Sequence, residues 1–143
     1  MSPIGVAEAF ERAPVLAERV GEGGGPAEIV TRARDVIARM SEAERIAVLN
    51  AHPRIGAVTG LSARSAAEQN DGTTDPSTLR TLELLNAEYE RTFGFRFVVF
   101  VNGRSRAEIV PVLQARLRNA RHEELATGID EFLAIARDRL ERG

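Results

Sequence analysis

Residues 52–56 read HPRIG and hold one of only two histidines in a chain of 143 residues. A short way on, residues 65–69 read SAAEQ. If that stretch is helical, Ser65, Glu68 and Gln69 stand at i, i+3 and i+4, so one face gathers a hydroxyl, a carboxylate and an amide. An imidazole beside a carboxylate has its tautomer set and its basicity raised, which suits general-base or proton-relay work. Pro53 stiffens the backbone beyond His52 and biases His52 away from helical geometry. Each stretch also has a plain structural reading. S-x-x-E is a capping box, and a histidine at a helix exit favours the negative end of the macrodipole. A single bend separates the two, so they can meet without a long-range fold argument.

Composition narrows the chemistry. All 19 basic residues are arginine, with no lysine and no cysteine. Disulfides, thiolate nucleophiles and lysine Schiff bases are therefore excluded, and lysine-held pyridoxal phosphate with them. Two histidines without cysteine disfavour a structural zinc, leaving carboxylate-rich magnesium or calcium sites as the metal chemistry not excluded. Catalysis has to come from His, carboxylates, hydroxyls, Arg and backbone dipoles. A net charge of −2 argues against nucleic acid as a partner. GEGGG at 21–25 lacks the Lys-Ser/Thr ending of a phosphate loop, and neither G-x-S-x-G nor HExxH occurs. His122, among charges at a helix start, reads as solvated surface. Arg104 and Arg106, flanking Ser105, could meet an anion at the next helix N-terminus, although two exposed arginines there are common.

The elements that must position these residues read as helices. Residues 5–20 look helical with an interruption near Pro14, and Pro26 opens a helix to about residue 40. Ser41 to Glu44 is a capping box before a short helix ending near His52. A helix from Ser62 or Ser65 closes near NDG at 70–72, where Asn and Gly supply a stop. Asp75-Pro76 starts the next, with Leu82, Leu85, Tyr89 and Phe93 on one stripe and Gly94 at its end. FRFVVFV at 95–101 has strand-like composition but no partner strand, so it reads as an extended connection or one turn of buried helix. Ser105 to Glu108 is a second capping box, followed by a stripe of Ile109, Leu113, Leu117 and Ala120. The last helix runs from about 121 to 141, with Ile129, Phe132, Leu133, Ala136 and Leu140 inward. Arg137 and Arg139 flank that stripe on opposite sides, and either is a candidate to bind an anionic or carbonyl-rich substrate; the periodicity does not choose. The expectation is one all-α domain over 1–143, with a short extended segment near 95–101.

Taken in order, HPRIG, SAAEQNDG, LNAEYERTFGFRFVVFVNGRS and LQARLRNARHEELATGIDEFLAIARDRL resemble successive blocks of the OHCU decarboxylases of urate degradation. OHCU is 2-oxo-4-hydroxy-4-carboxy-5-ureidoimidazoline. The resemblance spans roughly residues 5–141. It implies an all-helical, cofactor-free, metal-free and usually homodimeric enzyme that releases CO₂ from OHCU to give (S)-allantoin. It also implies site residues. His52 matches the family's histidine in its HP motif, with Pro53 beside it, and Ser65, Glu68 and Gln69 match its S-x-x-E-Q site. Arg139, in ARDRL, matches the arginine of the last helix, and the backbone around Val99, Phe100 and Val101 lines the pocket. His52 and Glu68 would be catalytic and the others substrate-binding. One departure is Arg54-Ile55, where many members have Asp-Leu.

The implied reaction fits the residue inventory. The ring C=N beside the carboxylate-bearing carbon can accept the electron pair of the breaking C–CO₂ bond, so no cofactor sink is required. Two rivals are a non-catalytic helical interaction domain and an enzyme acting on a related ureido acid. No secretory signal, membrane span, fused hydrolase domain or peroxisomal tripeptide is evident, so a cytoplasmic location is expected.

Overall fold

A computed structural model describes residues 5–10, 13–56 and 75–142. In chain order the helices are α1 (Val6–Ala9), α2 (Pro14–Val20), α3 (Pro26–Ala38), α4 (Glu42–Asn50), α5 (Pro76–Phe93), α6 (Arg106–Arg116) and α7 (Arg121–Arg142). No strand occurs among the described residues. The segment 95–101 is neither helix nor strand, in agreement with the extended connection expected there.

The helix boundaries follow from local chemistry. Both expected capping boxes form: the Ser41 hydroxyl accepts from the Glu44 N–H, the Ser105 hydroxyl from the Glu108 N–H, and each glutamate returns the bond to its serine's N–H. Such a cap stabilises a helix by about 1 kcal/mol. Asp75 caps α5 by accepting from the Ser77 N–H, with Pro76 in the first turn. Gly94 ends that helix at φ 83°, a left-handed conformation that costs glycine little.

Helix α7 is the scaffold, and α1, α3 and α4 all pack on it. Its periodic apolar face carries Ile129, Phe132, Leu133 and Ala136, all buried, as the spacing predicts. Phe10 of the α1 turn stacks on Phe132 with ring centroids 6.0 Å apart. Gly128 lets α4 approach: a Cβ there would lie 3.1 Å from Cδ1 of Leu49. Elsewhere α2 packs on α3, and α5 on α6.

One expected stripe is corrected. After Ile109 and Leu113, the buried position on α6 is Arg116; Leu117 packs only partly buried against the core, and Ala120 does not join the stripe. Leu117 is the C-cap and is half-buried, while Ala120 is exposed beyond the helix. The helix must stop there for the chain to turn into α7, and Arg116 instead enters the core to meet a buried carboxylate.

Candidate active site

His52 sits in the turn just beyond α4, and only 7% of its surface is exposed. Both of its backbone polar groups are engaged. Its N–H donates to the Leu49 carbonyl at 3.1 Å, and its carbonyl accepts from Nη1 of Arg96 at 3.0 Å. Its ring meets Phe132 edge-on, with centroids 5.9 Å apart and planes at 79°. The chain beyond it is held too. Ile55 is buried, and its carbonyl accepts from Nδ2 of the buried Asn86 on α5 at 3.0 Å. Arg54 forms a two-pronged pair with Glu90 through Nε at 2.6 Å and Nη2 at 2.9 Å. The expected exit histidine is therefore fixed in place, with Pro53 half-buried beside it.

Helix α7 carries the second candidate group. Arg139 has no exposed surface, whereas Arg137 is exposed and pairs with Glu141 at 2.7 Å. The choice that periodicity left open goes to Arg139 as the inward arginine. Phe132 and Arg139 are seven residues apart, so they share a face of α7 about 10 Å apart along its axis. The imidazole and the buried guanidinium thus belong to the same side of one helix. His122 at the start of α7 is exposed, as expected.

The third element is the segment 95–101. Val99 and Val101 are buried and Phe100 is half-buried, and the Phe100 N–H points to Oε1 of Glu131 on α7 at 3.4 Å. A polar cluster missing from the sequence reading anchors this segment. Arg116 donates through Nε to Oε1 of the fully buried Glu124 at 2.7 Å and through Nη1 to the Val98 carbonyl at 2.6 Å. Tyr89 donates its hydroxyl to the same Glu124 oxygen at 2.7 Å, and Asn119 donates to the other at 2.8 Å. The Arg116 guanidinium also lies 4.5 Å from the Phe97 ring centroid. Burial and the bond to Glu124 push the Tyr89 phenol well above its ordinary range. Arg104 caps the end of the segment, donating to the carbonyls of Val101 and Phe100.

A polar cavity of about 230 Å³ opens behind the His52 turn, lined by Asn50, Arg54, Glu90, Gly94, Phe95 and Arg96. Desolvation, followed by the neighbouring Arg54 charge, lowers the Arg96 guanidinium pKa. The bond to Glu90 raises that of Arg54. Ser65, Glu68 and Gln69 lie outside the described residues, as does the helix expected around them. Among the described residues no cluster of three or more His, Asp or Glu side chains could hold a metal ion, and no helix is long and apolar enough to cross a membrane.

The family model described as OHCU decarboxylase matches residues 5–141. The chain belongs to the OHCU decarboxylase family. It is 31% identical over 140 residues to a 2-oxo-4-hydroxy-4-carboxy-5-ureidoimidazoline decarboxylase of Haloferax volcanii, covering 93% of this chain and 83% of that protein. A protein of the same name from Halalkalicoccus jeotgali is 32% identical over 104 residues, which is 71% of this chain but only 59% of the relative's length. The solved structure of an OHCU decarboxylase in the presence of (S)-allantoin superposes with a TM-score of 0.78 at 25% identity, covering 94% of each chain. Within this OHCU decarboxylase fold, the described candidates His52, Arg139 and the 99–101 segment all border α7 or the α4–α7 junction.

Proposed function

We propose that the chain is a carboxy-lyase that converts OHCU to (S)-allantoin and CO₂ without a cofactor, completing the conversion of urate to allantoin. The observation that carries this reading is a buried histidine, held at both backbone polar groups, beside the helix that bears a fully buried arginine. Membership of the family, matched over residues 5–141, supports it.

The chemistry needs little beyond binding, orientation and proton handling. As the C4–CO₂ bond breaks, its electron pair enters the new C4=C5 bond, and the ring C=N pair moves onto nitrogen, which takes up a proton. His52, oriented by Glu68, takes the proton of the 4-hydroxyl as CO₂ leaves. The enediol-like intermediate then becomes the C4 carbonyl while C5 gains a proton on one face, which sets the S configuration. Ser65, Gln69 and Arg139 hold the ring, ureido and oxo groups and fix the substrate's conformation. The segment through Val99, Phe100 and Val101 lines the pocket with its backbone and supplies an apolar shelf that excludes water and strengthens the polar contacts. Pro53 keeps the histidine turn from relaxing. A homodimer in the cytoplasm is part of the same reading and rests on resemblance to the family.

The test is to generate OHCU in place from urate with urate oxidase and hydroxyisourate hydrolase and to follow its decay by circular dichroism. Decay faster than the spontaneous rate, ending in optically active (S)-allantoin, is the expected result. Decay at the spontaneous rate to racemic allantoin with folded protein would overturn the proposal.

A further inference from the structure

The back of the histidine turn is held by a residue to which the catalytic reading assigns no role. Arg96 lies in the segment that leads to Val99–Val101, yet its guanidinium reaches back across the polar cavity to the end of α4. Nη1 donates to the Asn50 carbonyl at 2.7 Å and to the His52 carbonyl at 3.0 Å. A second bond from Arg96 doubles the link, because its backbone N–H donates to Oδ1 of Asn50 at 3.0 Å. Asn50 is the last residue of α4, so its carbonyl has no partner within the helix. A cation at that end is favoured both by the macrodipole and by charge-assisted bonding.

We infer that Arg96 is a positioning residue for the reaction: it ties the His52 turn to the segment that forms the shelf, and so sets the imidazole's distance from the bound substrate. Three features of the structure support this. The two arms of the site come from segments far apart in sequence, and these three bonds link them directly. The guanidinium is held where burial first, and the neighbouring Arg54 charge second, disfavour its charged form, with only Glu90 opposing them. The His52 carbonyl accepts from Arg96, so loss of the guanidinium removes a restraint on the histidine backbone itself. A bare solubilising role for Arg96 requires none of these contacts.

The inference rests on the reading of His52 as the proton handler, and the experiment keeps the two apart. Arg96→Met, Arg96→Lys, Arg96→Ala and His52→Asn are assayed beside the parent protein on OHCU generated in place, with thermal melts for each. Arg96→Met is expected to lose on the order of 10²-fold in kcat with KM close to the parent value, because the histidine is misplaced while the substrate contacts remain. Arg96→Lys, which can still donate to both carbonyls, is expected to recover most of that loss. Low millimolar guanidinium is expected to raise kcat of Arg96→Ala by refilling the vacated space, and to leave His52→Asn inactive. Parent-like kcat in Arg96→Met beside an inactive His52→Asn would overturn the positioning role alone. A loss that neither lysine nor guanidinium restores, matched by a lowered melt, would reduce Arg96 to a stability element and overturn it equally. Parent-like turnover in His52→Asn would overturn the site reading, and this inference with it.

Discussion

The imidazole of His52 meets the Phe132 ring edge-on, 5.9 Å between centroids. Phe132 is one step in the buried stripe of α7, and Arg139 lies two turns further along the same face. The candidate base and the candidate anion-binding group are therefore referenced to one rigid element, which favours a fixed geometry over one assembled from loops.

Arg139 should affect binding more than chemistry. Lysine keeps the charge but loses the planar fork that can hold two acceptors at once. Arg139→Lys is expected to raise KM at least about tenfold with a smaller change in kcat, the pattern of lost uniform binding. Steady-state kinetics on OHCU check this; an unchanged KM would remove Arg139 from the substrate contacts.

Gly128 sets the spacing of α4 on α7, and hence the seat of His52 three residues past Leu49. Gly128→Ala would place a methyl group 3.1 Å from Leu49 Cδ1 and 3.4 Å from Cδ2. Overpacking is expected to cost about 1–3 kcal/mol, offset by the roughly 1 kcal/mol that alanine gains over glycine inside a helix. Combining it with Leu49→Ala should cost less than the sum of the two single changes, because each relieves the other. Denaturant titrations of the four proteins measure that coupling, and simple additivity would contradict it.

The Arg116–Glu124–Tyr89 cluster should act on stability. Glu124→Gln leaves a buried guanidinium without its countercharge, and about 3–5 kcal/mol of destabilisation is expected. Tyr89→Phe removes one bond to a charged acceptor, worth about 1.5–3 kcal/mol. The Tyr89 phenol pKa is raised in the folded state, first by burial and then by the Glu124 bond. Its contribution is thus fully present below about pH 10, the unfolded phenol pKa, and is lost as pH rises beyond it. Thermal melts from pH 8 upward should show that alkaline fall, with the Tyr89 part absent from Tyr89→Phe.

Much of this was legible from local pattern. The capping boxes at Ser41 and Ser105, the Asp75-Pro76 start and the Gly94 stop depend on neighbours within four residues, so spacing alone finds them. The α7 stripe was equally plain, and it left only the choice between Arg137 and Arg139, which burial decides. The misses are long-range. Arg116 reads as a polar break in a stripe until Glu124 and the Val98 carbonyl arrive from elsewhere in the chain. Arg96 reads as a lone charge in an apolar run, and nothing nearby in sequence announces Asn50 or His52 as its partners. One cue was available: an arginine inside FRFVVFV must carry its charge to a partner or to water.

The most direct test of the account is His52→Asn beside the parent protein on freshly generated OHCU, followed by circular dichroism at matched folded concentration. Asparagine keeps a polar side chain but cannot accept the 4-hydroxyl proton, and a loss of about 10²–10⁴-fold in kcat is predicted with the melting temperature little changed. A folded His52→Asn protein that still makes (S)-allantoin at the parent rate would contradict the claim that this imidazole handles the proton.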